Sequence, residues 1–303
     1  MRIAVTGASG FIGRHLVGRS IAEGYEVVAL SRDPLRAEQR LPAKVRALPW
    51  SPHGSVLPDD ALAGCQAVVH LAGESVAVRW NAARQAEMRA SRLRGTRLLV
   101  QGLAKTDSRP STLVCASAIG YYGSRGDEIL TEASPPGAGF LAQLCPQWEK
   151  EAVAAEELAV RVVRLRIGIA LGTGGGALAR MLLPFKAGVG GRLGNGHQWM
   201  SWIHLDDLVS LFLFALNTPS LRGPVNATAP NPVTNREFTR DLAAVLRRPA
   251  LFPVPAFALR IGLGEMSEVV LSSQRVLPAA AETAGFRFRF RHLRPALQDL
   301  LKP

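Results

Sequence analysis

The sequence predicts a doubly wound α/β protein: a parallel sheet covered by helices on both faces, with a smaller C-terminal lobe of the substrate-holding type. Three observations carry this expectation. The chain opens on a short apolar strand, a glycine-rich loop and a helix (RIAVTGASGFIGRHLVG). Apolar runs of strand length then alternate with helical patterns up to about residue 170, and such alternation builds parallel sheets because each parallel connection needs a crossover. After Ile169 the texture changes to a glycine-rich stretch (GTGGGALARMLLPFKAGVGGRLGNGHQW) and then to shorter elements broken by proline.

The elements follow in order. Residues 2–6 form the first strand. From Phe11 to about Ala22 a helix is expected, with Ile12, Leu16, Val17 and Ile21 near helical spacing. Gly24 stops it, and residues 26–30 give a second buried strand, closing a unit of about 30 residues, the length of a βαβ crossover. Further strands are predicted at 45–48, 67–71, 112–116 and 159–165, with helices at about 82–105 and 141–158. WIHLDDLVSLFLFAL gives a short strand, an acidic helix start at Asp206 and Asp207, and an amphipathic helix. From Phe286 to Arg294 phenylalanine alternates with arginine, which predicts a half-buried strand. The expected division is a cofactor domain of residues 1–170, joined again by 201–229, and a smaller lobe of 171–200 and 230–303.

Bulk composition limits the function classes. Of 303 residues, 48% are hydrophobic and 20% charged, a globular rather than a disordered balance. No apolar run approaches the roughly 18–20 residues of a membrane span. MRIAVTGASG lacks the longer apolar core of an export signal, so a cytoplasmic location is expected. The three cysteines, Cys65, Cys115 and Cys145, are odd in number and far apart, which argues against a disulfide framework and against a metal centre. The formal charge of +12 comes from arginines spread along the chain, with only five lysines. They read as solvated faces, since no basic segment interleaves with aromatics on a nucleic-acid module. A small molecule is the expected partner, with neither nucleic acid nor membrane.

The sharpest motif is TGASGFIG, directly after the first strand and opening the first helix. Glycines at 7, 10 and 13 permit the tight turn, the approach of backbone amides to a pyrophosphate, and close helix–strand packing. The helix N-terminus favours the phosphate charge. Gly7, Ser9, Gly10, Phe11, Ile12 and Gly13 are therefore expected to line a dinucleotide in a Rossmann-type domain. At the second strand's end stand Ser31 and Arg32, where an NAD-preferring site carries an acid for the ribose 2′-OH. A hydroxyl plus a guanidinium suits a 2′-phosphate, so NADP(H) is expected over NAD(H), although the adjacent Asp33 offers a ribose acceptor. The fourth strand ends HLAGES, placing Leu71, Ala72 and Gly73 along the cofactor.

With these motifs in place, the chain resembles the atypical or extended short-chain dehydrogenase/reductases, and within them the epimerase-family proteins related to bacterial YfcH. WNAARQAEMRASRLRGT, SAIGYYG, FLAQLCPQWEKEA, RLRIGIALGTGGGALARMLLPF, GVGGRLGNGHQWMSWIHLDDL and GEMSEVVLSSQRVLPAAAETAGF extend the likeness over essentially the whole chain. The resemblance implies an NADP(H)-binding domain with a small C-terminal domain. It adds Glu87, Arg92 and Leu171 as cofactor contacts.

Catalysis is where the sequence departs from that pattern. A working short-chain dehydrogenase uses a tyrosine as general acid/base, a lysine four residues later, and a serine or threonine. Ser117 stands at the end of the fifth strand. Aligning WEKEA puts Leu144 at the tyrosine place and Trp148 at the lysine place, and neither transfers a proton. Tyr121 and Tyr122 are the replacement acids on offer, and His197 and Trp202 are expected to face substrate in a glycine-rich cover, residues 188–202. Two readings stay open: an oxidoreductase or epimerase with an atypical acid, or a protein that holds NADP(H) without turnover and reports redox state.

Overall fold

The computed structural model describes residues 1–54, 57–58 and 60–302. Seven parallel strands form the central sheet: β1 (Arg2–Thr6), β2 (Glu26–Ser31), β3 (Arg46–Pro49), β4 (Ala67–His70), β5 (Thr112–Ala118), β6 (Arg161–Ile167) and β7 (Gly223–Ala227), in the order 3-2-1-4-5-6-7. β1 pairs with β2 from Arg2↔Glu26 to Thr6↔Leu30 and with β4 from Ile3↔Ala67 to Thr6↔His70. The strand order reverses between β1 and β4, the switch point at whose carboxyl ends ligands of such sheets lie.

Both sheet faces are covered. Helices α1 (Phe11–Ala22) and α6 (Leu205–Asn217) bury Leu16, Val17, Leu208, Leu211 and Phe212 against Ile3, Val5 and Val163 on one face. On the other, α3 (Ala82–Lys105) and α4 (Phe140–Val153) bury Leu99, Leu103 and Trp148 against Ala4, Val68 and Leu113. Between them in sequence lie α2 (Pro34–Glu38) and α5 (Gly176–Lys186). α4 is shorter than expected, because residues 154–158 tighten into a 3₁₀ turn that ends at Ala159 in the left-handed region. A further core joins Leu171, Leu178, Leu182 and Trp202 to Phe238 and Leu242 of α7 (Asn235–Leu246) and to Leu293 and Leu297 of the terminal helix Leu293–Leu300. Among the described residues, no helix is long and apolar enough to cross a membrane.

The Phe286–Arg294 run corrects one expectation. Phe286, Phe288 and Phe290 are buried and the intervening arginines exposed, so the burial alternates as expected. No strand forms, however. The Asp207 carboxylate accepts the backbone N–H groups of Arg289 and Phe290 at 2.9 Å each, standing in for a neighbouring strand.

Candidate functional site

The glycine loop is built by close approach. Gly7 has φ +68°, and a Cβ there would lie 2.8 Å from the Leu71 carbonyl carbon. At Gly13 a Cβ would lie 2.2 Å from the Gly7 carbonyl oxygen, so helix α1 rests on the loop only because that side chain is absent. Gly10 differs: a Cβ would meet only the Gly7 oxygen, at 3.1 Å, and its outward side is otherwise open. Gly10 also caps α1 with no side-chain cap, and no acid lies in the first turn. The first N–H groups of α1 are thus left for a ligand's phosphate. Two of the expected contacts turn elsewhere. The Phe11 ring seats against Gly172, Gly175 and Gly176, and Ile12 packs on the α1 core, so both side chains are engaged by the protein itself.

Behind the loop lies a buried network that the sequence reading missed. Thr6 Oγ1 accepts the N–H groups of Leu71 and Ala72 at 3.1 Å each, which leaves its proton for His70 Nδ1 at 2.7 Å. The ring then carries its own proton on Nε2, facing Thr96 Oγ1 at 3.1 Å, and Trp148 Nε1 donates to the same oxygen at 2.9 Å. This chain ties the ends of β1 and β4 to α3 and α4, fixing the Leu71–Gly73 backbone beside the glycine loop. Burial, with Arg92 adding repulsion, moves the His70 pKa from 6.5 down to about 3. The neutral ring's contribution is complete above the unfolded value of 6.5 and is lost as pH falls towards about 3, because the unfolded chain takes up a proton that the folded one excludes. Between about pH 7.5 and about pH 5.5 the wild type should lose about 1.4 kcal/mol more stability than His70→Gln in urea unfolding. Equal losses would show that the ring is charged when folded.

The end of β2 presents Arg32 to solvent with its guanidinium bonded to Glu74 Oε1 at 2.9 Å. Ser31 Oγ lies within hydrogen-bond range of Asp33 N and Asp33 O. Asp33 itself caps α2, its Oδ1 accepting Arg36 N at 3.0 Å. Arg92 runs beneath Gly73 and donates to the Glu74 carbonyl at 3.0 Å, its guanidinium 5.1 Å from the Trp148 ring centre. It supports the loop from behind. Glu87 is on the outer face of α3, paired with Arg84 at 2.7 Å.

At the end of β5 the expected catalytic trio separates. Ser117 is buried and donates to Glu149 Oε1 at 2.7 Å. Glu149 is held by Arg166 through Nε at 2.8 Å and Nη2 at 3.0 Å. Tyr122 is fully buried, accepting from Arg166 at 2.9 Å and donating to Asn226 Oδ1 at 2.7 Å. Burial outweighs the Arg166 charge and pushes its phenol up to about 12. Tyr122 is therefore corrected from acid to interior strut. Tyr121 is only half-buried, with the Arg166 guanidinium 3.5 Å from its ring centre and no hydrogen bond to its hydroxyl among the described residues.

Helix α4 corrects the expected register. Leu144 and Trp148 point into the core. The residues meeting the end of β5 are Leu141, against Gly120, and Cys145, bonded to the Ala118 backbone, and these two have the four-residue separation of a Tyr-x-x-x-Lys pair. Burial raises the Cys145 thiol to about 12. Lys150 faces solvent. In either register the proton-transferring pair is replaced by apolar groups.

The remaining assignments also shift. Trp202 is fully buried in the core shared with α7 and the terminal helix, its indole donating to the Asn231 carbonyl at 3.1 Å, so it does not face substrate. The Leu171 side chain belongs to the same core. His197 is exposed beside Arg236 at 3.4 Å. The glycine-rich cover is anchored rather than free: Leu193 N donates to Asn235 Oδ1 at 2.8 Å, and a Cβ on Gly191 would fall 1.8 Å from the Phe252 carbonyl oxygen. Trp199, which reaches Asp127 Oδ1 at 2.7 Å with Arg275 over its ring, is the tryptophan left half-exposed.

Comparison with known proteins accounts for this arrangement. Residues 3–227 match the NAD-dependent epimerase/dehydratase family, and residues 254–300 match a domain of unknown function, DUF1731. The chain is 43% identical to the chloroplastic epimerase family protein SDR39U1 homolog of Arabidopsis thaliana, over 100% of this chain and 87% of that one. It is 38% identical to the epimerase family protein YfhF of Bacillus subtilis, over 99% and 98% of the two chains. The crystal structure of human epimerase family protein SDR39U1 (isoform 2) with NADPH superposes with a TM-score of 0.88 at 34% identity, covering 99% of each chain. The UDP-glucose 4-epimerase of Thermotoga maritima shares the fold, with a TM-score of 0.81 at 20% identity. The glycine loop at the strand-order switch, the small C-terminal lobe and these likenesses agree: the chain belongs to the NAD-dependent epimerase/dehydratase family.

Proposed function

We propose that this protein is an NADP(H)-dependent oxidoreductase of the epimerase/dehydratase-like short-chain dehydrogenase/reductase group, acting on a small polar carbonyl or alcohol. In this reading residues 1–170 with 201–229 hold the cofactor, residues 171–200 with 230–303 hold the substrate, and the protein works in the cytoplasm. The observation that carries it is the end of β2, where the exposed Arg32, paired with Glu74, and Ser31 beside it set a guanidinium and a hydroxyl together as a 2′-phosphate requires. The NADPH carried by the human relative supports the same preference. The first turn of α1 takes the pyrophosphate, and Leu71–Gly73 lie along the cofactor. A nicotinamide dinucleotide held by these residues would supply hydride-transfer chemistry to a carbonyl or alcohol.

Tyr121 is the acid of this reading. Of the three expected catalytic groups, its hydroxyl alone has no intramolecular partner among the described residues. It would give the proton to the carbonyl oxygen as the hydride arrives, with Arg166 behind its ring to favour the resulting phenolate. In a panel of carbonyl compounds, NADPH oxidation by the wild type should fall about a hundredfold or more in Tyr121→Phe, the scale of general-acid catalysis. Unchanged turnover in that variant would remove Tyr121 from the role. Leu141 and Cys145 favour the second reading, a non-catalytic NADP(H) holder, and absence of turnover across the panel with NADPH still bound would select it.

Arg32→Glu tests the cofactor assignment. A charge-assisted bond to the 2′-phosphate is worth about 1.5–3 kcal/mol, so the variant should lose roughly 10- to 100-fold in NADPH affinity and change little towards NADH. Equal losses for both cofactors would place Arg32 away from the 2′-phosphate.

A further inference from the structure

The chain's exposed large apolar side chains are unevenly placed. Leu183, Val189, Leu251, Phe252, Phe257 and Ile261 lie in two stretches, residues 183–189 and 251–261, and all six are strongly exposed, from 56% at Val189 to 74% at Leu183 and Leu251. The structure joins the second stretch to residues 191–193, which follow shortly after the first in the chain. Leu193 bridges to Val254, Val254 N donates to the Arg192 carbonyl at 2.8 Å, and Gly191 packs on the Phe252 backbone. Phe257 and Ile261 stand one turn apart on α8 (Ala256–Leu263), which begins directly after this junction, and so share a helix face. Single exposed apolar residues are ordinary, whereas a concentration of this kind marks an interaction surface.

The charge around these residues is one-sided. A hollow of about 330 Å³ is lined by Arg192, Arg236 and Arg240 together with Leu251 and Pro253. Arg247 and Arg248 are exposed at the end of α7, and Arg260 is exposed on α8 beside Phe257 and Ile261. Over residues 183–194 and 236–263 there are seven cations and two acids. Of those acids, Glu237 is used in the N-terminal cap of α7 and Asp241 pairs with Arg240 at 3.1 Å.

From this juxtaposition we propose that the face formed by residues 183–192 and 247–261 docks on an anionic bilayer surface. The apolar side chains enter the interface between headgroups and acyl chains, and the arginines meet lipid phosphates and carboxylates. Apolar side chains beside basic ones are what interfacial binding requires, each basic group adding roughly fivefold to partitioning onto anionic lipid. A second copy is the less fitting occupant, because a two-fold contact would set this face against itself and oppose arginine to arginine. The proposal departs from the sequence expectation of no membrane partner, and it concerns adsorption rather than spanning.

Flotation of the purified protein with vesicles tests it. The protein should float with phosphatidylcholine vesicles containing phosphatidylserine and not with phosphatidylcholine alone, and high salt should release it. The double substitution Phe257→Ser with Ile261→Ser, at exposed positions that leave Tm unchanged, should lower partitioning about tenfold or more. Arg247→Glu with Arg248→Glu should do the same through charge. Three results would overturn the proposal: no flotation with either vesicle, equal flotation with both, or a solution dimer that Phe257→Ser with Ile261→Ser converts to monomer.

Discussion

Gly10→Val is expected to leave the protein folded and to weaken NADPH binding by about a hundredfold or more, the scale of losing two charge-assisted hydrogen bonds at about 1.5 kcal/mol or more each. The backbone at Gly10 is extended, with φ −74° and ψ 178°, so valine is allowed there, and its Cβ meets only the Gly7 oxygen at 3.1 Å. The γ-methyl groups would fill the space in front of the first turn of α1, where a phosphate must approach the free N–H groups. Gly13→Ala should behave differently. Its Cβ would fall 2.2 Å from the Gly7 oxygen, so α1 must lift from the loop and stability suffers along with binding. Calorimetry and cofactor titration on the two variants separate these effects. If Gly10→Val bound NADPH as the wild type does, the pyrophosphate would not lie on this turn.

Arg166→Ala is expected to destabilise the fold by about 3–5 kcal/mol, the cost of leaving a buried charge without its partner. Glu149 sits in the core between α4 and β6 and accepts from Ser117, Arg164 and both arms of Arg166. Burial alone would lower the Arg166 pKa, but the hydrogen bonds and charge of Glu149 outweigh it and hold the guanidinium above its ordinary value. The same guanidinium donates to Tyr122 and covers Tyr121, so its loss also frees the 119–122 segment. Arg166→Lys should recover little, since an ammonium cannot reproduce the two-armed geometry. Urea unfolding of the three proteins measures this, and a loss below about 1 kcal/mol in Arg166→Ala would mean that solvent reaches Glu149.

What was legible in the sequence followed the range of the interactions involved. The strand–loop–helix unit at 2–22 is set by neighbours in the chain, and TGASGFIG could be read directly because its glycines answer to contacts within the loop and with one adjacent strand. The place of Ser31 and Arg32 at the next strand's end was legible for the same reason. His70 was not, since its partners Thr6 and Thr96 are brought to it only by the pairing of β1 with β4 and the packing of α3. Glu149 left a signal that went unused: Leu144, Cys145, Trp148, Glu149 and Ala152 share the buried face of α4, so an acid there required a buried cation. RVVRLRI supplies two of them, Arg164 and Arg166, on neighbouring positions of one strand face. The Tyr121–Tyr122 pair could not be divided from sequence, because which ring turns inward depends on Asn226, on a strand more than a hundred residues later. Phe286–Arg294 misled because a period of two marks alternate burial, and a side-chain carboxylate can satisfy an extended segment as well as a strand can.

The account rests on an NADP(H) site formed by the glycine loop and the end of β2, and direct titration tests it most plainly. Following fluorescence as NADPH and NADH are added to the wild-type protein, the account predicts at least about tenfold tighter binding of NADPH, the contribution of one charge-assisted contact to the 2′-phosphate. Equal affinities, or tighter NADH, would contradict it.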